Sequence, residues 1–325
     1  MAESKEDYSK KLCTKCEQPD NKATVYCEDC KYYLCQSCYD GHKSWEAMKD
    51  HRIDTIDDLI SGKVTLSEEE EEWDQIGQFK VPGMSGPSGI AVTSDEKIGV
   101  VEWGGKAKVV SKSGDILHTL EEGCNDLAVT SGNGFLVPDR SFCRVYDSNG
   151  KKVSEFRTLN LSEKYETVTA MTVDKNGNII FGMNKIIAIW KVDGSFKSGY
   201  PISTRPDGIA VTSTDKIIVA NPSDGLVMFK SYFSGKKPLT PFAPPPDIKK
   251  WRPVCLCCSK KDELFVTNGS GGDPVGIYKY AASGAYIGCV TTDVKKPKGI
   301  ALSNDDQELY VVDEDSKSVK IFEKP

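Results

Sequence analysis

The chain has no uninterrupted apolar run of about 18 residues, the length that a membrane-spanning helix requires. Its first eleven residues are polar and contain no apolar segment of the kind found in secretory signal peptides. These two absences predict a cytoplasmic protein with no membrane contact. Cysteines stay reduced in that compartment, so the twelve cysteines are predicted to be metal ligands or core residues rather than a disulfide framework.

The chain also lacks an excess of basic residues, and its formal net charge at pH 7 is −6. Residues 1–72 hold 10 Lys and Arg against 18 Asp and Glu, whereas residues 73–325 hold 32 against 30. An acidic N-terminal segment followed by a near-neutral remainder offers no overall electrostatic attraction to nucleic acid.

What the chain does have, near its start, is a cluster of metal-ligating residue types. In chain order these are Cys13, Cys16, Cys27, Cys30, Cys35, Cys38, His42 and His51. Paired Cys-x2-Cys knuckles suit tetrahedral zinc, because two thiolates on one tight turn can face one ion. The set is large enough for two structural Zn²⁺ sites. Since so short a stretch cannot fold on core burial alone, we expect the metal to supply folding energy.

The rest of the chain is organised around a recurring stretch. Its three strong copies are Gly89–Val92, Gly208–Val211 and Gly299–Leu302, and weaker copies start at 126, 170 and 254. Successive starts lie 37 to 46 residues apart, a period typical of propellers and other repeat folds. Each repeat divides into four short apolar segments separated by Gly, Asn and Asp turns. Six such units predict a six-bladed β-propeller.

The last repeat stops after its third strand, at residues 319–322, and an unassigned strand-like segment, residues 76–79, precedes the first repeat. We expect residues 76–79 to supply the missing fourth strand and to close the ring, which would remove open sheet edges. Small residues are expected on the innermost strands, because six of them crowd around one channel.

Two known families resemble these segments. The set of six cysteines and two histidines resembles the type 1 B-box of the tripartite-motif (TRIM) family, and the segments Pro87–Val92, Pro206–Val211 and Pro297–Leu302 resemble the NHL repeat. The resemblance implies an all-β chain: a cross-brace B-box zinc finger followed by a six-bladed NHL-type propeller. It also implies one zinc held by Cys13, Cys16, Cys35 and Cys38, and a second held by Cys27, Cys30, His42 and His51.

The predicted domains are a flexible N-terminus (1–12), the zinc finger (13–54), an acidic linker (55–72) and the propeller (73–325). The linker ends in five consecutive glutamates and lacks the sustained heptads of a coiled coil. The twelve residues before Cys13 are too few for a RING finger.

In propellers, ligands usually meet the face formed by the fourth-to-first and second-to-third loops. These loops carry 14 basic and 15 acidic residues, which argues against strong general RNA binding. Exposed Trp, Phe and Arg side chains commonly anchor interfaces. The candidate partner-binding residues on this face are Trp103, Arg140, Phe142, Arg205, Trp251, Arg252, Lys295 and Lys298. The alternative is that Trp251 packs under the proline-rich segment 241–246 and that the lysines are simply solvated.

Two functional hypotheses follow. In the first, the chain is a zinc-binding adaptor without catalytic residues, and its propeller binds a protein or RNA partner in post-transcriptional or ubiquitin pathways. No small-molecule substrate is expected. In the second, implied by the TRIM resemblance, it is an E3 ubiquitin-protein ligase or a ligase subunit. Cys255, Cys257 and Cys258 are predicted to be core residues on an inner strand, with Cys255 and Cys257 on one side and Cys258 on the other.

Overall fold

The computed structural model describes residues 11–16, 21–27, 32–44, 51, 53–61, 73–139, 142–158, 168–203, 205–229, 240–246 and 248–325. The chain divides into two compact units, and the division falls between residues 69 and 70. We call the first the small unit and the second the propeller. No helix within the described ranges is long and apolar enough to cross a membrane.

The small unit is a three-stranded antiparallel sheet with two short helices. Its elements are β1 (Val25–Cys27), β2 (Tyr32–Leu34), α1 (Gln36–Ser44), β3 (Ile53–Thr55) and α2 (Ile56–Ser61). Strand β1 lies in the middle, and its Cys27 pairs with Tyr32 of β2 and with Ile53 of β3. This register brings the segments on both sides of α1 back to the same central strand.

Among the described residues of the small unit, few apolar side chains are buried. Tyr26 and Ile56 pack with Ala23, while Val25 and Leu34 pack with Cys27 in a separate cluster. Clusters of this size are far smaller than the core on which a domain of this length could depend for stability.

The limits of the small unit differ from the predicted domain boundaries at both ends. Ile56 begins α2 and is buried in the small unit, although the sequence assigned residues 55–72 to a linker. At the other end Leu12, assigned to a flexible N-terminus, forms a β-bridge with Lys22. The remainder of the predicted linker, residues 62–72, and residues 1–10 lie outside the described residues.

Within the described residues, the propeller consists of six four-stranded antiparallel sheets, which we number as blades 1 to 6. Blade 1 contains β5 (Pro87–Val92), β6 (Ile98–Glu102), β7 (Gly105–Val110) and β8 (Ile116–Cys124). Blade 2 contains β9 (Ala128–Val129), β10 (Phe135–Pro138), β11 (Phe142–Tyr146) and β12 (Lys152–Arg157). Blade 3 contains β13 (Val168–Val173), β14 (Asn178–Met183), β15 (Ile186–Lys191) and β16 (Phe196–Pro201).

Blade 4 contains β17 (Gly208–Val211), β18 (Ile217–Asn221), β19 (Gly225–Phe229) and β20 (Thr240–Pro241). Blade 5 contains β21 (Pro253–Cys258), β22 (Leu264–Asn268), β23 (Gly276–Tyr280) and β24 (Tyr286–Thr291). Blade 6 contains β25 (Pro297–Leu302), β26 (Glu308–Asp313), β27 (Ser318–Glu323) and, from the start of the propeller, β4 (Asp74–Phe79).

The six blades form a closed ring. The first strand of each blade contacts the first strand of the next, and β25 of blade 6 contacts β5 of blade 1. Strand β4 pairs antiparallel with β27, so that Phe79 lies opposite Val319 and Gly77 lies opposite Ile321. The predicted closing strand is therefore confirmed, with two more residues at its start than the sequence indicated.

The glycine of the recurring stretch is required because neighbouring blades approach closely. A Cβ atom on Gly299 would lie 2.8 Å from the carbonyl oxygen of Ser88 and 2.9 Å from the Cα of Gly89. A Cβ atom on Gly208 would lie 2.8 Å from the Cα of Cys255. Backbone atoms cannot move aside cheaply, so the predicted crowding of the inner strands is confirmed.

The register of blade 5 corrects one of the repeat starts. Ile90 pairs with Val100 in blade 1, and Leu256 pairs with Val266 in blade 5, so Ile90 and Leu256 are equivalent. Cys255 therefore occupies the glycine position, whereas the sequence placed the start at residue 254. The error arose because no glycine marks this blade.

Candidate metal centre and binding face

The first Cys-x2-Cys knuckle and the start of α1 bring four thiols together. The sulfur atoms that all lie within 4.8 Å of one another belong to Cys13, Cys16, Cys35 and Cys38. Cys16 Sγ is 3.2 Å from Cys35 Sγ and 3.3 Å from Cys38 Sγ, far longer than a disulfide bond of about 2.05 Å. The N–H of Thr14 donates to the carbonyl oxygen of Tyr33 over 2.8 Å, which ties the knuckle to the sheet.

A second cluster combines residues at three places in the small unit. Cys27 ends β1, His42 lies buried on α1, and His51 precedes β3. Cys27 Sγ is 3.6 Å from His51 Nδ1, and the two imidazole rings meet edge to face with centroids 5.3 Å apart. Cys30, the predicted fourth ligand, lies outside the described residues. The two clusters alternate along the chain, which is the arrangement of a cross-brace.

The chemistry of both donor sets suits zinc. The Ser37 hydroxyl, followed by the backbone N–H of Cys38, lowers the pKa of Cys35 to about 6. Hydrogen bonding with Cys16 and then burial raise the pKa of Cys38, because thiols this close cannot all ionise without a compensating cation. Burial lowers the pKa of His42, which keeps its imidazole neutral and able to ligate. Thiolate and neutral imidazole are ligands that structural zinc prefers.

The central channel of the propeller holds a cavity of 630 Å³ lined by the inner strands of all six blades. Asp126 lines it, and its carboxylate accepts hydrogen bonds from the N–H of Leu127 (2.9 Å) and of Met171 in blade 3 (2.7 Å). Burial raises the pKa of Asp126 to about 7, although both hydrogen bonds favour the ionised form. Asp126 was not among the residues predicted from the sequence, yet three other blades have glycine at its place in the repeat, which was a visible signal.

The inner-strand cysteines follow the predicted alternation. Cys255 and Cys257 pack against the cluster between blades 5 and 6, whereas Cys258 packs against the cluster between blades 4 and 5. Burial raises the pKa of Cys255 to about 12 and raises that of Cys257 well above its usual value. These thiols are protonated at neutral pH and are not nucleophiles there.

Comparison with known proteins decides what the small unit is. Residues 12–53 match the ANCHR-like B-box zinc-binding domain. The small unit is thus a zinc-binding B-box. Zinc fits at two places in it, the cluster of four thiols and the cluster of one thiol with two imidazoles. We call it the B-box from here on. No curated protein matches the chain by sequence.

Solved structures resemble the propeller in fold. A gluconolactonase from Xanthomonas campestris is similar with a TM-score of 0.59 and 13% identity, over 79% of this chain and 95% of that chain. A structural-genomics target proposed as a gluconolactonase is similar with a TM-score of 0.62 and 10% identity, over 78% of this chain and 92% of that chain. At these identities the likeness shows the fold alone. The assignments to TRIM and to the NHL repeat stay predictions.

One end of the propeller is built from the fourth-to-first and second-to-third loops, and polar residues at the ends of second strands hold these loops together. Glu102 Oε1 accepts hydrogen bonds from the N–H (2.8 Å) and hydroxyl (2.5 Å) of Ser85 and from the N–H of Gly86 (3.0 Å). In blade 6, Asp313 accepts the N–H groups of Lys295 (3.3 Å) and Lys296 (3.0 Å). We call this end the loop face.

Trp103 is the described aromatic candidate that the loop face presents most openly. Its side chain is 60% exposed, although it is a large aromatic residue. It follows Glu102, which is fixed by Ser85 and Gly86, and it precedes Gly104, whose N–H donates to Asn125 Oδ1 over 3.2 Å. The indole is thus carried on a braced turn rather than on a free loop.

Three basic candidates of the loop face have acidic neighbours, namely Arg205, Lys295 and Lys298. The Nζ atoms of Lys296 and Lys298 lie 3.0 Å and 3.5 Å from the carboxylate of Glu314. Although burial opposes it, these two lysines hold the pKa of Glu314 below its usual value. Lys295 Nζ lies 3.9 Å from Asp315. Arg205 bonds to Asp207 Oδ1 through Nε (3.2 Å) and a terminal nitrogen (3.0 Å).

The remaining described candidates, Phe142, Trp251 and Arg252, are less exposed than the sequence suggested. Trp251 packs edge to face on Tyr278 with centroids 5.7 Å apart, and it joins the core cluster that contains Phe242. Its packing corresponds to the alternative prediction. Phe142 is half-buried beneath the Arg157 guanidinium. The backbone N–H of Arg252, a half-buried residue, donates to Asn268, while Arg140 lies outside the described residues.

Proposed function

We propose that this chain is a non-catalytic scaffold in which a B-box with two structural zinc ions accompanies a propeller that docks a protein partner at Trp103. In this proposal one zinc is held by Cys13, Cys16, Cys35 and Cys38, and the other by Cys27, Cys30, His42 and His51. Because protein ligands fill every position at both zincs, neither metal has an open site for catalysis.

The observation that carries the docking role is the exposure of Trp103 on a braced turn. Tryptophan is enriched among the few residues that supply most of the binding energy at interfaces. A side chain held on a fixed backbone loses little freedom when a partner covers it, so more of the contact energy appears as affinity. The hydrogen bonds of Glu102 to Ser85 and Gly86 provide that fixed backbone.

The charges of the loop face favour a protein over RNA. Lys296 and Lys298 share Glu314, and Arg205 is bonded to Asp207. Binding of single-stranded nucleic acid gains much of its affinity by releasing counterions from phosphates as lysines and arginines replace them. Basic groups that are already neutralised by carboxylates contribute little to that release.

We infer that the propeller binds rather than catalyses. The lactonase activity named for the two structural neighbours belongs to chains only 10% to 13% identical to this one. Among the described residues that line the channel, the thiols of Cys255 and Cys257 have raised pKa values and are not nucleophiles at neutral pH, so the Asp126 carboxylate has no activated thiol beside it. Hydrolysis of gluconolactone above the buffer rate by the full chain would contradict this inference.

The test of the docking role compares three forms of the full chain: wild type, Trp103→Ala and Val153→Ala. Val153 is a matched control, because it is 58% exposed on the outer strand β12 and away from the loop face. Quantitative affinity purification should recover partners that wild type and Val153→Ala share and that Trp103→Ala loses.

Two parallel assays measure the competing functions. Enrichment of a specific motif from a random single-stranded RNA pool, resistant to moderate salt, together with no Trp103-dependent protein partner, would replace the protein-docking proposal with RNA binding. Robust chain formation in an autoubiquitination assay across several conjugating enzymes would overturn the non-catalytic assignment in favour of the ligase alternative.

A further inference from the structure

Two residues break a pattern in the central channel. The position closest to the neighbouring blade on each inner strand is small in four blades, where it is occupied by Gly89, Ala170, Gly208 and Gly299. In blade 2 the same position is Asp126, and in blade 5 it is Cys255. Blades 2 and 5 are separated by two blades in either direction, so these side chains enter the channel from opposite sides of the ring.

Asp126 and Cys255 form the floor of the cavity. Its lining continues from them along the inner strands to the first-to-second turns, while the four small residues at their level do not take part in it. Protein surrounds both residues, yet each is only half-buried because part of its surface faces the open channel. The negative charge of Asp126 also helps to raise the pKa of Cys255, after burial, so the two groups lie within electrostatic reach.

The carboxylate of Asp126 retains capacity to bind a ligand. Each of its oxygens accepts one backbone hydrogen bond, from Leu127 and from Met171 respectively. A carboxylate oxygen has two acceptor sites, so each oxygen keeps one. The two N–H donors fix the orientation of the group without neutralising its charge.

The wall above the floor carries apolar side chains, and the other charged lining residues lie on the first-to-second turns at the mouth, where they are Asp174, Lys175, Lys260, Asp262 and Asp306. The half-buried apolar side chains along the wall belong to Val92, Val129, Val173, Val211 and Leu302. At the mouth, Asp262 accepts the N–H and hydroxyl of Ser213, and Asp306 accepts the N–H of Lys260. These carboxylates are bonded to neighbouring turns at the mouth. Among the described lining residues, Asp126 is the charged group at the deep end.

We propose that the channel binds a small organic cation, an ammonium group on an apolar body, with Asp126 as its counter-charge. An ammonium has donors for the free acceptor sites of the carboxylate, and an apolar body matches the wall above. The cavity volume of 630 Å³ lies within the range of about 300–1,000 Å³ that small-molecule sites occupy. This site goes beyond the docking role of the loop face and differs from the sequence expectation that no small molecule is bound.

The test uses three probes of nearly equal shape that differ in charge: benzylamine, benzyl alcohol and benzoate. Each is titrated into the full chain and followed by ligand-observed NMR. Since a charge-assisted hydrogen bond exceeds a neutral one, benzylammonium should bind about tenfold more tightly than benzyl alcohol. Benzoate should bind most weakly, because its carboxylate would face that of Asp126.

Two variants that each remove one negative charge test where the amine binds. Asp126→Asn should remove the preference for the amine, whereas Asp193→Asn, in the exposed turn between β15 and β16, should retain it. Cys255→Ala enlarges the floor without changing its charge and should also retain the preference. In the wild-type chain, amine affinity should rise between about pH 6 and pH 8 as the Asp126 carboxyl ionises.

The pH series keeps the proposal testable if Asp126→Asn does not fold. Equal binding of the three probes, or an amine preference that neither Asp126→Asn nor pH alters, would overturn the assignment of Asp126. Tighter binding of benzoate than of benzylamine would show an anion site instead. None of these outcomes changes the result of the Trp103 experiment, so the two proposals fail independently.

Discussion

In the B-box the described apolar residues form two small clusters, whereas in the propeller every pair of neighbouring blades shares a larger one. For example, Ile98 and Val110 of blade 1 pack with Tyr310 and Ile321 of blade 6, which joins the first and last blades. The B-box instead gathers thiols and imidazoles at two points. The difference indicates that metal ligation holds one unit together and that burial of apolar surface between blades holds the other.

The largest effect is expected when zinc is removed, because the B-box should unfold while the propeller stays folded. A strong chelator should unfold the B-box completely, because structural zinc contributes about 10–16 kcal/mol to small zinc domains. The propeller should keep its strands, since its core contains no zinc ligand cluster within the described residues. Limited proteolysis with mass spectrometry should show new cleavage within residues 11–61 and continued protection of residues 73–139.

Two cysteine variants sharpen this experiment. Cys35→Ala should lower the zinc content measured by atomic absorption, whereas Cys289→Ala, in the propeller, should leave two zinc ions per chain. Unfolding of both units on chelation would contradict the conclusion that zinc stabilises the B-box and that apolar burial stabilises the propeller. A zinc content below two in the wild-type chain would contradict the two-site assignment.

The next effect concerns a charge inside the propeller. The folded-state pKa of Asp126 is about 7, above the value of about 3.9 in an unfolded chain. Between these values the folded state binds the extra proton, so the free energy of unfolding falls as pH rises. The Asp126 contribution is fully present below about pH 4 and is lost through pH 7, a change on the order of 4 kcal/mol.

Urea unfolding at several pH values should measure this change. The wild-type chain should lose more stability than Asp126→Asn between about pH 4 and pH 8, and the difference between the two curves isolates Asp126 from other carboxylates. Groups such as Glu102, whose pKa is lowered by hydrogen bonds from Ser85, act in the opposite direction in both chains. Parallel curves would show that Asp126 has an ordinary pKa.

The sequence predicted the architecture well because both units leave local marks. Gly299 and Gly208 mark inner strands since no Cβ fits between the blades, and paired cysteines mark zinc knuckles. The closing role of residues 76–79 followed from counting strands. Register failed in blade 5, where Cys255 takes the glycine position, because an inner strand without glycine resembles any apolar strand.

Candidate sites were predicted less well, because exposure depends on tertiary packing. Trp103 and Trp251 are equivalent as residue types, yet one is 60% exposed and the other packs on Tyr278. The pairing of Lys298 on β25 with Glu314, which follows β26, is not visible in any local sequence pattern. An aspartate at the glycine position of the repeat was visible in the sequence at residue 126, but that this side chain borders a channel follows only when the six inner strands meet.

A substitution with a smaller expected effect on the free energy of unfolding tests the packing between blades 6 and 1. Gly299→Ala should lower the free energy of unfolding by about 2 kcal/mol, since its Cβ would meet the backbone of Ser88 and Gly89. Gly288→Ala is the control, because a Cβ there has no atom within 4 Å. Denaturant unfolding of the propeller should show the difference. Equal stability of the two variants would mean that the inner strands adjust freely.

The smallest effect is expected at the loop face. Trp103→Ala should change the free energy of unfolding by less than about 0.5 kcal/mol, because an exposed side chain contributes little to folding. Trp251→Ala should cost about 3 kcal/mol, since its ring packs on Tyr278. With folding unchanged, any partner lost by Trp103→Ala must have been bound through the indole itself. A large loss of stability in Trp103→Ala would instead place Trp103 among the structural residues.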